Sequence, residues 1–358
     1  MIRLEPRGEV SRIWPLLTPL IAILLTLASG VAIFSAMGKD PGLALYTYFV
    51  QPVSTIYGVT ELLVKAAPLV LIGMGLAIGF RANVWNIGAE GQFTIGAIFG
   101  GGFAIAFHDS DSILLLPGIL FLGVLGGMVW GAIPAYLRTR FNANEILTSL
   151  MLTYVSILLL NYLVHGPWRD PGGFNFPESR IFSASAMMPT LIADSRLHLG
   201  FVFALLAILV GWLLLNRSVI GFQLRVVGQA PAAARHAGFS QNKLIWYSFL
   251  LSGGLAGLAG VAEVAGTIGQ LLPTISPGYG FTAIIVAFLG RLNPFGVLLG
   301  GLVMALSYLG GEIAQIEIGL PAAVTGLFQG ILLFFLLGCD ALTHNRIKFS
   351  IAGRFVRI

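Results

Sequence analysis

Apolar residues follow one another in long runs along this chain, and each run exceeds what one face of a helix in a soluble protein needs. A run of about 20 apolar residues is long enough to cross a bilayer as a helix. The pattern therefore predicts an all-α polytopic membrane protein with about ten transmembrane helices. The predicted spans are 15–37, 62–80, 88–107, 113–137, 146–164, 199–215, 244–264, 279–290, 295–311 and 319–338.

The spans suggest one transmembrane domain, 1-358, built from two related groups. Spans two to five and spans seven to ten form two inverted four-helix groups, because the two groups begin on opposite sides of the membrane. Inverted groups are common in transporters, where the substrate path lies between the halves. The eighth and ninth spans are short for a full crossing, so each is either a span or partly re-entrant.

Charged residues make up 10% of the chain, against about 25% in a soluble domain. Cytoplasmic loops of membrane proteins carry an excess of Lys and Arg. If both termini are cytoplasmic, 15 of the 20 basic residues fall on the cytoplasmic side, and this distribution predicts the orientation in the lipid bilayer. The net charge of +5 does not indicate a nucleic-acid surface, because the basic residues cluster in short loops and at both termini. These residues are Arg3, Arg7, Arg12, Arg81, Arg138, Arg140, Arg217, Arg225, Arg235, Lys243, Arg291, Arg346, Lys348, Arg354 and Arg357.

The segment 165–198 is the largest predicted outer loop (periplasmic in a two-membrane cell). It contains four prolines and mixed charges, so it cannot be a span. It is either a simple connector or a platform for an extracytoplasmic partner.

Polar residues interrupt the apolar pattern at 79–96, where the sequence reads GFRANVWNIGAEGQFTIG. Hydrocarbon does not solvate such groups, so they must meet one another, water or a ligand. Asn83, Asn86, Glu90 and Gln92 are therefore candidates to line or gate a path for a polar solute. Asn86 could instead be the N-cap of the third span, and Glu90 could instead favour the dipole of its first turn.

The longest internal loop, 216–243, carries four basic residues and no acid. Pro231 suits the first turn of a helix, the alanines after it favour helix, and Gly238 is a natural stop. The segment predicts a short helix outside the membrane, with Arg235 able to anchor to a carboxylate on another protein. The alternative is an ordinary basic loop that only sets orientation.

Two motifs resemble one family of membrane proteins. The cytoplasmic G-x-x-P-x-A-A-R-x-A-G pattern is similar to the coupling loop of ABC importer permeases of the branched-chain amino acid and ribose type, the type II importers. The N-x-x-N-I-G-A-E-G-Q pattern that begins at Asn83 resembles a narrower branch, the permeases for simple sugars or nucleosides. The residues that carry the coupling pattern are Gly228, Pro231, Ala233, Ala234, Arg235 and Gly238.

The resemblance implies that this chain forms the translocation path of an ATP-driven importer in a bacterial or archaeal inner or plasma membrane. Its implied partners are ATP-binding cassette ATPase subunits, a second permease subunit that is a related chain, and an extracytoplasmic substrate-binding lipoprotein. The region of Phe281 lies near the path in this family, so Phe281 joins the candidate path residues.

The chain contains no G-x-x-x-x-G-K-[ST] motif, so ATP is expected on the ATPase subunit. We expect no cofactor or metal on this chain and no enzymatic activity of its own. A different class remains open, an ion-coupled secondary transporter of a small polar solute, for which Lys65 and Glu90 are the plausible coupling groups.

Overall fold

The computed structural model describes residues 2–6, 14–351 and 354–357, and the side chains of 17–339. Arg7 and Arg12, two residues of the predicted cytoplasmic N-terminus, lie outside the described residues. The described residues form thirteen α-helices. These are α1 (Trp14–Ala36), α2 (Pro41–Leu45), α3 (Ile56–Arg81), α4 (Ala89–Ala106), α5 (Leu115–Phe141), α6 (Glu145–His165), α7 (Leu199–Arg217), α8 (Val219–Gln229), α9 (Pro231–His236), α10 (Gln241–Ala262), α11 (Tyr279–Leu289), α12 (Pro294–Ile318) and α13 (Ala323–His344).

Each of the ten predicted spans corresponds to one of these helices, which confirms the predicted all-α membrane fold. Within the described residues, seven helices are long and apolar enough to cross a membrane by themselves: α1, α3, α5, α6, α7, α10 with its extension to Ile268, and α12. The eighth predicted span, α11, has only 11 residues, or about 16 Å of helix, so it is too short to cross alone. The ninth, α12, has 25 residues and is long enough.

Three helices differ locally from the predicted elements. Helix α3 begins six residues before the predicted span, because the Thr55 side chain accepts a hydrogen bond from the Gly58 amide at 3.0 Å and caps the helix. Helix α8 occupies part of the loop 216–243, where only the α9 region was predicted to be helical. A π-helical turn, Glu263–Ile268, extends α10.

The chain divides into two compact units, one made of residues 55–305 and the other of 1–54 and 306–358. In the first unit, α10 packs against α5 and α4 at glycines. A Cβ on Gly127 would lie 2.1 Å from the Gly253 carbonyl oxygen, and a Cβ on Gly96 would lie 2.3 Å from the Gly257 Cα. No side chain fits there, so these helix backbones are in direct contact, as in other membrane bundles.

The second unit is organised around a cluster of aromatic rings. Phe34 of α1 and Tyr48 each stack on Phe328 of α13, with ring centroids 5.4 and 5.1 Å apart. The Tyr48 hydroxyl and the Ser307 hydroxyl are hydrogen-bonded at 3.0 Å.

The unit also contains a small antiparallel sheet that the apolar pattern did not predict, with strands in the order β1 (Ile2–Pro6), β2 (Asn345–Ile351) and β3 (Arg354–Arg357). It pairs the two ends of the chain.

The predicted outer segment, 165–198, forms turns with one short 3₁₀ helix, Ala184–Ala186. Two contacts tie its last residues to the helices. Arg196 binds both carboxylate oxygens of the buried Glu61 on α3, with the Nε–Oε1 bond at 3.0 Å. His198 caps α7, because its Nδ1 accepts a hydrogen bond from the Gly200 amide at 3.1 Å. Burial lowers the pKa of His198 to about 4.

Candidate functional site: the α3–α4 junction and the coupling segment

Helix α3 ends at an asparagine in the left-handed conformation. Asn83 has φ 56°, its amide donates to the Phe80 carbonyl, and the Val84 amide donates to the Gly79 carbonyl. This is the Schellman arrangement that closes many helices, and asparagine tolerates the left-handed position. The Asn83 side chain, which is exposed, accepts a hydrogen bond from the Trp85 indole at 2.8 Å. Asn83 therefore shapes the start of the junction between α3 and α4, residues 82–88.

The junction continues into a buried amide pair. Asn86 and Gln92 are 2% and 1% exposed, and their side-chain amides donate to each other at 2.8 and 3.2 Å. The Asn86 amide also donates to the Ser252 hydroxyl of α10, and its oxygen accepts from the Gly88 amide, both at 3.0 Å. Each polar atom of these two side chains thus has a partner inside the chain, which is what burial demands.

The N-cap interpretation of Asn86 is wrong in position, because Gly88 is the residue that precedes the first turn of α4. The Asn86 side chain, two residues before Gly88, instead accepts a hydrogen bond from the Gly88 amide. Glu90 lies in the first turn of α4, as the dipole interpretation requires.

The Glu90 carboxylate reaches a second helix. It is 5% exposed, and one oxygen accepts a hydrogen bond from the Gly280 amide at 2.5 Å. The Ser276 hydroxyl accepts from the Gly278 and Tyr279 amides at 3.0 and 2.9 Å. Together the two side chains satisfy the first amides of α11, which otherwise have no partner within the helix.

The contact needs a glycine at 280. A Cβ there would lie 2.3 Å from the Glu90 nitrogen and 2.5 Å from its Cα. The starts of α4 and α11 therefore meet backbone to backbone. This tertiary contact has no sequence signal beyond the PGYG turn at 277–280.

The structure brings three of the five candidate path residues together, Asn86, Glu90 and Gln92, and buries all three. Asn83 lies at the exposed end of α3, and Phe281, 40% exposed, directly follows Gly280. Sequence reasoning did not single out Ser252, Ser276 or Gly280, which hold this group in place. The assignment of the five residues to a substrate path stays a prediction.

The second candidate region, which we call the coupling segment, consists of α8 and α9 with the turn that follows, residues 219–239. Pro231 is the first residue of α9, and Gly238 has φ 76°, so the predicted start and stop of this helix are confirmed. The Phe239 amide donates to the Ala234 carbonyl at 3.0 Å and closes the helix.

Helix α9 exposes nearly all of its surface to solvent. Pro231, Ala233 and Arg235 are exposed, whereas Ala234 is 2% exposed and faces the protein. A helix with such small side chains can approach another protein closely, and the Arg235 guanidinium is the strongest hydrogen-bonding group on it. This surface has the chemistry of a docking element.

Helix α8 joins α9 to the rest of the unit. Leu224 and Val227 are buried on its inner face, and Gly228 packs against the end of α3. A Cβ on Gly228 would lie 2.0 Å from the Arg81 carbonyl oxygen, so only glycine fits. Gly228 is thus a packing residue of the segment, whereas Arg235 belongs to its exposed surface.

Among the residues that the structure describes, no three His, Cys, Asp or Glu side chains lie together as a metal site would require. An apolar helix bundle that buries a polar junction and exposes a basic, alanine-rich helix has the architecture of the membrane subunit of a transporter. The family model "Branched-chain amino acid transport system / permease component" matches residues 58–337, and the chain belongs to this family.

Curated relatives extend the similarity over nearly the whole chain. The glucose ABC transporter permease protein TsgB13 of Haloferax volcanii is 36% identical over 99% of this chain and 95% of its own length. The guanosine ABC transporter permease protein NupP of Bacillus subtilis is 35% identical over 93% and 96%. The nucleoside ABC transporter permease protein NupB of Lactococcus lactis is 27% identical over 89% and 90%.

The predicted family is therefore confirmed. This chain is a permease component of an ABC transporter and a multi-pass protein of the plasma membrane. These findings favour the ABC permease over the ion-coupled secondary transporter.

Proposed function

We propose that this chain is the permease subunit of an importer for nucleosides or simple sugars, and that it couples to separate ATPase subunits through α9. The observation that carries the proposal is the exposed, capped helix with Arg235 on its surface. Both termini and the coupling segment are cytoplasmic in this proposal, in agreement with the distribution of basic residues.

The substrate class is supported by the relatives, whose names specify glucose, guanosine and nucleosides. All of these solutes are neutral and rich in hydroxyl groups or base edges. Such solutes suit Asn, Gln and Glu side chains, which offer directional hydrogen bonds, and an aromatic face such as Phe281. A substrate-binding lipoprotein would deliver the solute from outside the cell.

The assembly contains two permeases and two ATPases, and the second permease is a related chain. ATP is bound and hydrolysed on the ATPase, because this chain has no phosphate-binding lysine motif. Closure of the ATPases moves the coupling segment, and the permease pair alternates between outward-facing and inward-facing states.

The first test is mass spectrometry of the proteins that co-purify with this chain from its native membrane in mild detergent. We expect an ATPase, a second permease and a lipoprotein. Reproducible purification of the chain alone, with uptake driven by an ion gradient, would overturn the proposal.

The second test reverses the charge on α9 with Arg235→Glu. We expect ATP-driven uptake of labelled guanosine or glucose to be lost, either through release of the ATPase or through uncoupling. The matched control is Arg140→Glu, another exposed arginine of a predicted cytoplasmic helix end, which should transport normally. Normal uptake by the Arg235 variant would contradict docking through α9.

A further inference from the structure

Hydrogen bonds from the end of α3 and the start of α4 hold helix α11 at both of its ends. At its start, the Gly280 amide donates to the Glu90 carboxylate at 2.5 Å. Just after its end, the Leu292 carbonyl accepts a hydrogen bond from the Arg81 Nε at 2.9 Å. A short helix fixed in this way follows any movement of α3 and the junction.

Residues in the left-handed conformation lie on both sides of α11. Gly278 precedes it with φ 99°, and Arg291 and Leu292 follow it with φ 51° and 55°. Two successive non-glycine residues in the left-handed region are uncommon and strained, and such strain persists only where the surroundings impose it. The bond from Arg81 to the Leu292 carbonyl is one of the contacts that hold this strained turn.

Arg81 also touches the coupling segment through its backbone. A Cβ on Gly228 would lie only 2.0 Å from the Arg81 carbonyl oxygen, so α8 and the end of α3 are in direct contact. A push on α8 therefore acts on the peptide of Arg81, while the Arg81 side chain holds the turn after α11. One residue joins the two elements.

We propose that Arg81 is a positioning residue that transmits movement of the coupling segment to α11, the helix that carries Phe281. The inference rests on the proposed function, because it assumes that ATPase subunits drive the coupling segment. Arg81 contacts neither ATP nor the transported solute in this role. It makes α11 move together with α8.

The test uses the complete transporter in liposomes and measures solute molecules taken up per ATP hydrolysed. Arg81→Gln removes the guanidinium, so we expect ATP hydrolysis within about twofold of the wild type and uptake per ATP about tenfold lower, the scale of one lost charged hydrogen bond. Arg81→Lys keeps a charged donor and should restore most of the coupling.

The matched control is Arg217→Gln. Arg217 occupies the equivalent last turn of α7, and its guanidinium lies 5.6 Å from the centre of the Trp212 ring. This variant should keep the wild-type ratio. An equal fall in the Arg217 variant, or an unchanged ratio in Arg81→Gln, would overturn the inference.

A second measurement does not depend on whether Arg81→Gln assembles. Spin labels are placed at the exposed positions Gln229, Asn293 and Phe141 after the single cysteine, Cys339, is replaced by alanine. Between the nucleotide-free and ATP-bound states, the 229–293 distance should stay constant while the 141–293 distance changes. A change in the 229–293 distance would show that α8 moves without α11 and would overturn the inference.

The two proposals fail in different ways. If the wild-type complex contains no ATPase or takes up no solute, the proposed function fails. If the wild type is coupled and Arg81→Gln is equally coupled, only the role of Arg81 fails.

Discussion

The α3–α4 junction and the coupling segment are both short connections rich in polar and small residues, but the junction buries its polar side chains and the coupling segment exposes them. The junction buries Asn86, Glu90 and Gln92 and pairs their polar atoms inside the chain. The coupling segment leaves Arg235 in solvent. Buried polar groups with complete hydrogen bonds hold one arrangement in place, whereas an exposed charged helix is available to a partner.

The contrast changes how polar residues in an apolar sequence are interpreted. Asn86 and Gln92 attract attention because hydrocarbon cannot solvate them, but each satisfies the other. The side-chain amides of Asn86 and Gln92 thus form hydrogen bonds within the fold, whereas the Arg235 guanidinium is exposed to solvent. Four predictions, three in these two regions and one at another buried polar group, test this contrast.

The largest effect is expected from Gly280→Val, in the buried region. Its Cβ would lie 2.3 Å from the Glu90 backbone nitrogen, and backbone cannot move aside cheaply. We expect little or no folded protein in fluorescence-detected size-exclusion chromatography. The control is Gly326→Val on α13, where no atom lies within 4 Å of the added Cβ, and which should give wild-type yield. Full yield of Gly280→Val would contradict the tight contact.

The next effect concerns another buried polar group, His198, on the predicted outer side. Its pKa of about 4 lies below the unfolded value near 6.5, so the unfolded state binds a proton first as pH falls. Stability should be flat above pH 6.5 and fall by roughly 3 kcal/mol as the pH approaches 4. Thermal unfolding across this range measures the loss.

His198→Gln should remove most of that pH dependence. His165→Gln, which replaces an exposed histidine at the end of α6, should leave it in place. An unchanged profile in the His198 variant would show that another group controls it.

A smaller effect is expected for the amide pair. Asn86→Ala leaves the buried Gln92 amide without its partner, and we expect a loss of about 2 kcal/mol of stability. A double-mutant cycle with Gln92→Ala should give a coupling energy of about 1 kcal/mol, because the second substitution removes a group already unpaired. Strictly additive losses would mean that the two amides do not depend on each other.

The smallest effect is expected in the coupling segment. Gly238→Ala meets no atom within 4 Å but must adopt φ 76°, which costs about 1 kcal/mol. The free energy of unfolding should fall by no more than about 1 kcal/mol, while ATPase binding, measured by titration in detergent, should weaken by about fivefold. Gly238→Asn tolerates the left-handed conformation and should bind more tightly than the alanine variant.

Local signals in the sequence were enough to place the helices and to delimit α9. A helix lies at each of the ten apolar runs, and Pro231 and Gly238 marked the start and stop of α9 because proline and glycine act on the backbone where they stand. Helix α8 was missed because its apolar face, Leu224 and Val227, is short and lies among basic residues.

Contacts between distant residues could not be predicted in this way. Glu90 and Gly280 are 190 positions apart, and Arg81 and Leu292 are 211 apart. Neither pair has a periodic pattern, since each depends on how the helices meet in three dimensions. The same is true of Ser252, an unremarkable serine in α10 until it meets Asn86.

The sheet at the chain ends bears on how often the chain crosses the membrane. Strand β1 precedes α1 and pairs with β2, which follows α13, as expected if both ends of the chain are on one side of the membrane, the arrangement that the basic residues predict. A chain with both ends on one side crosses the membrane an even number of times. Of the described helices, seven qualify as spans by themselves, so this arrangement requires that either one or all three of α4, α11 and α13 also cross. The ten predicted spans satisfy this condition.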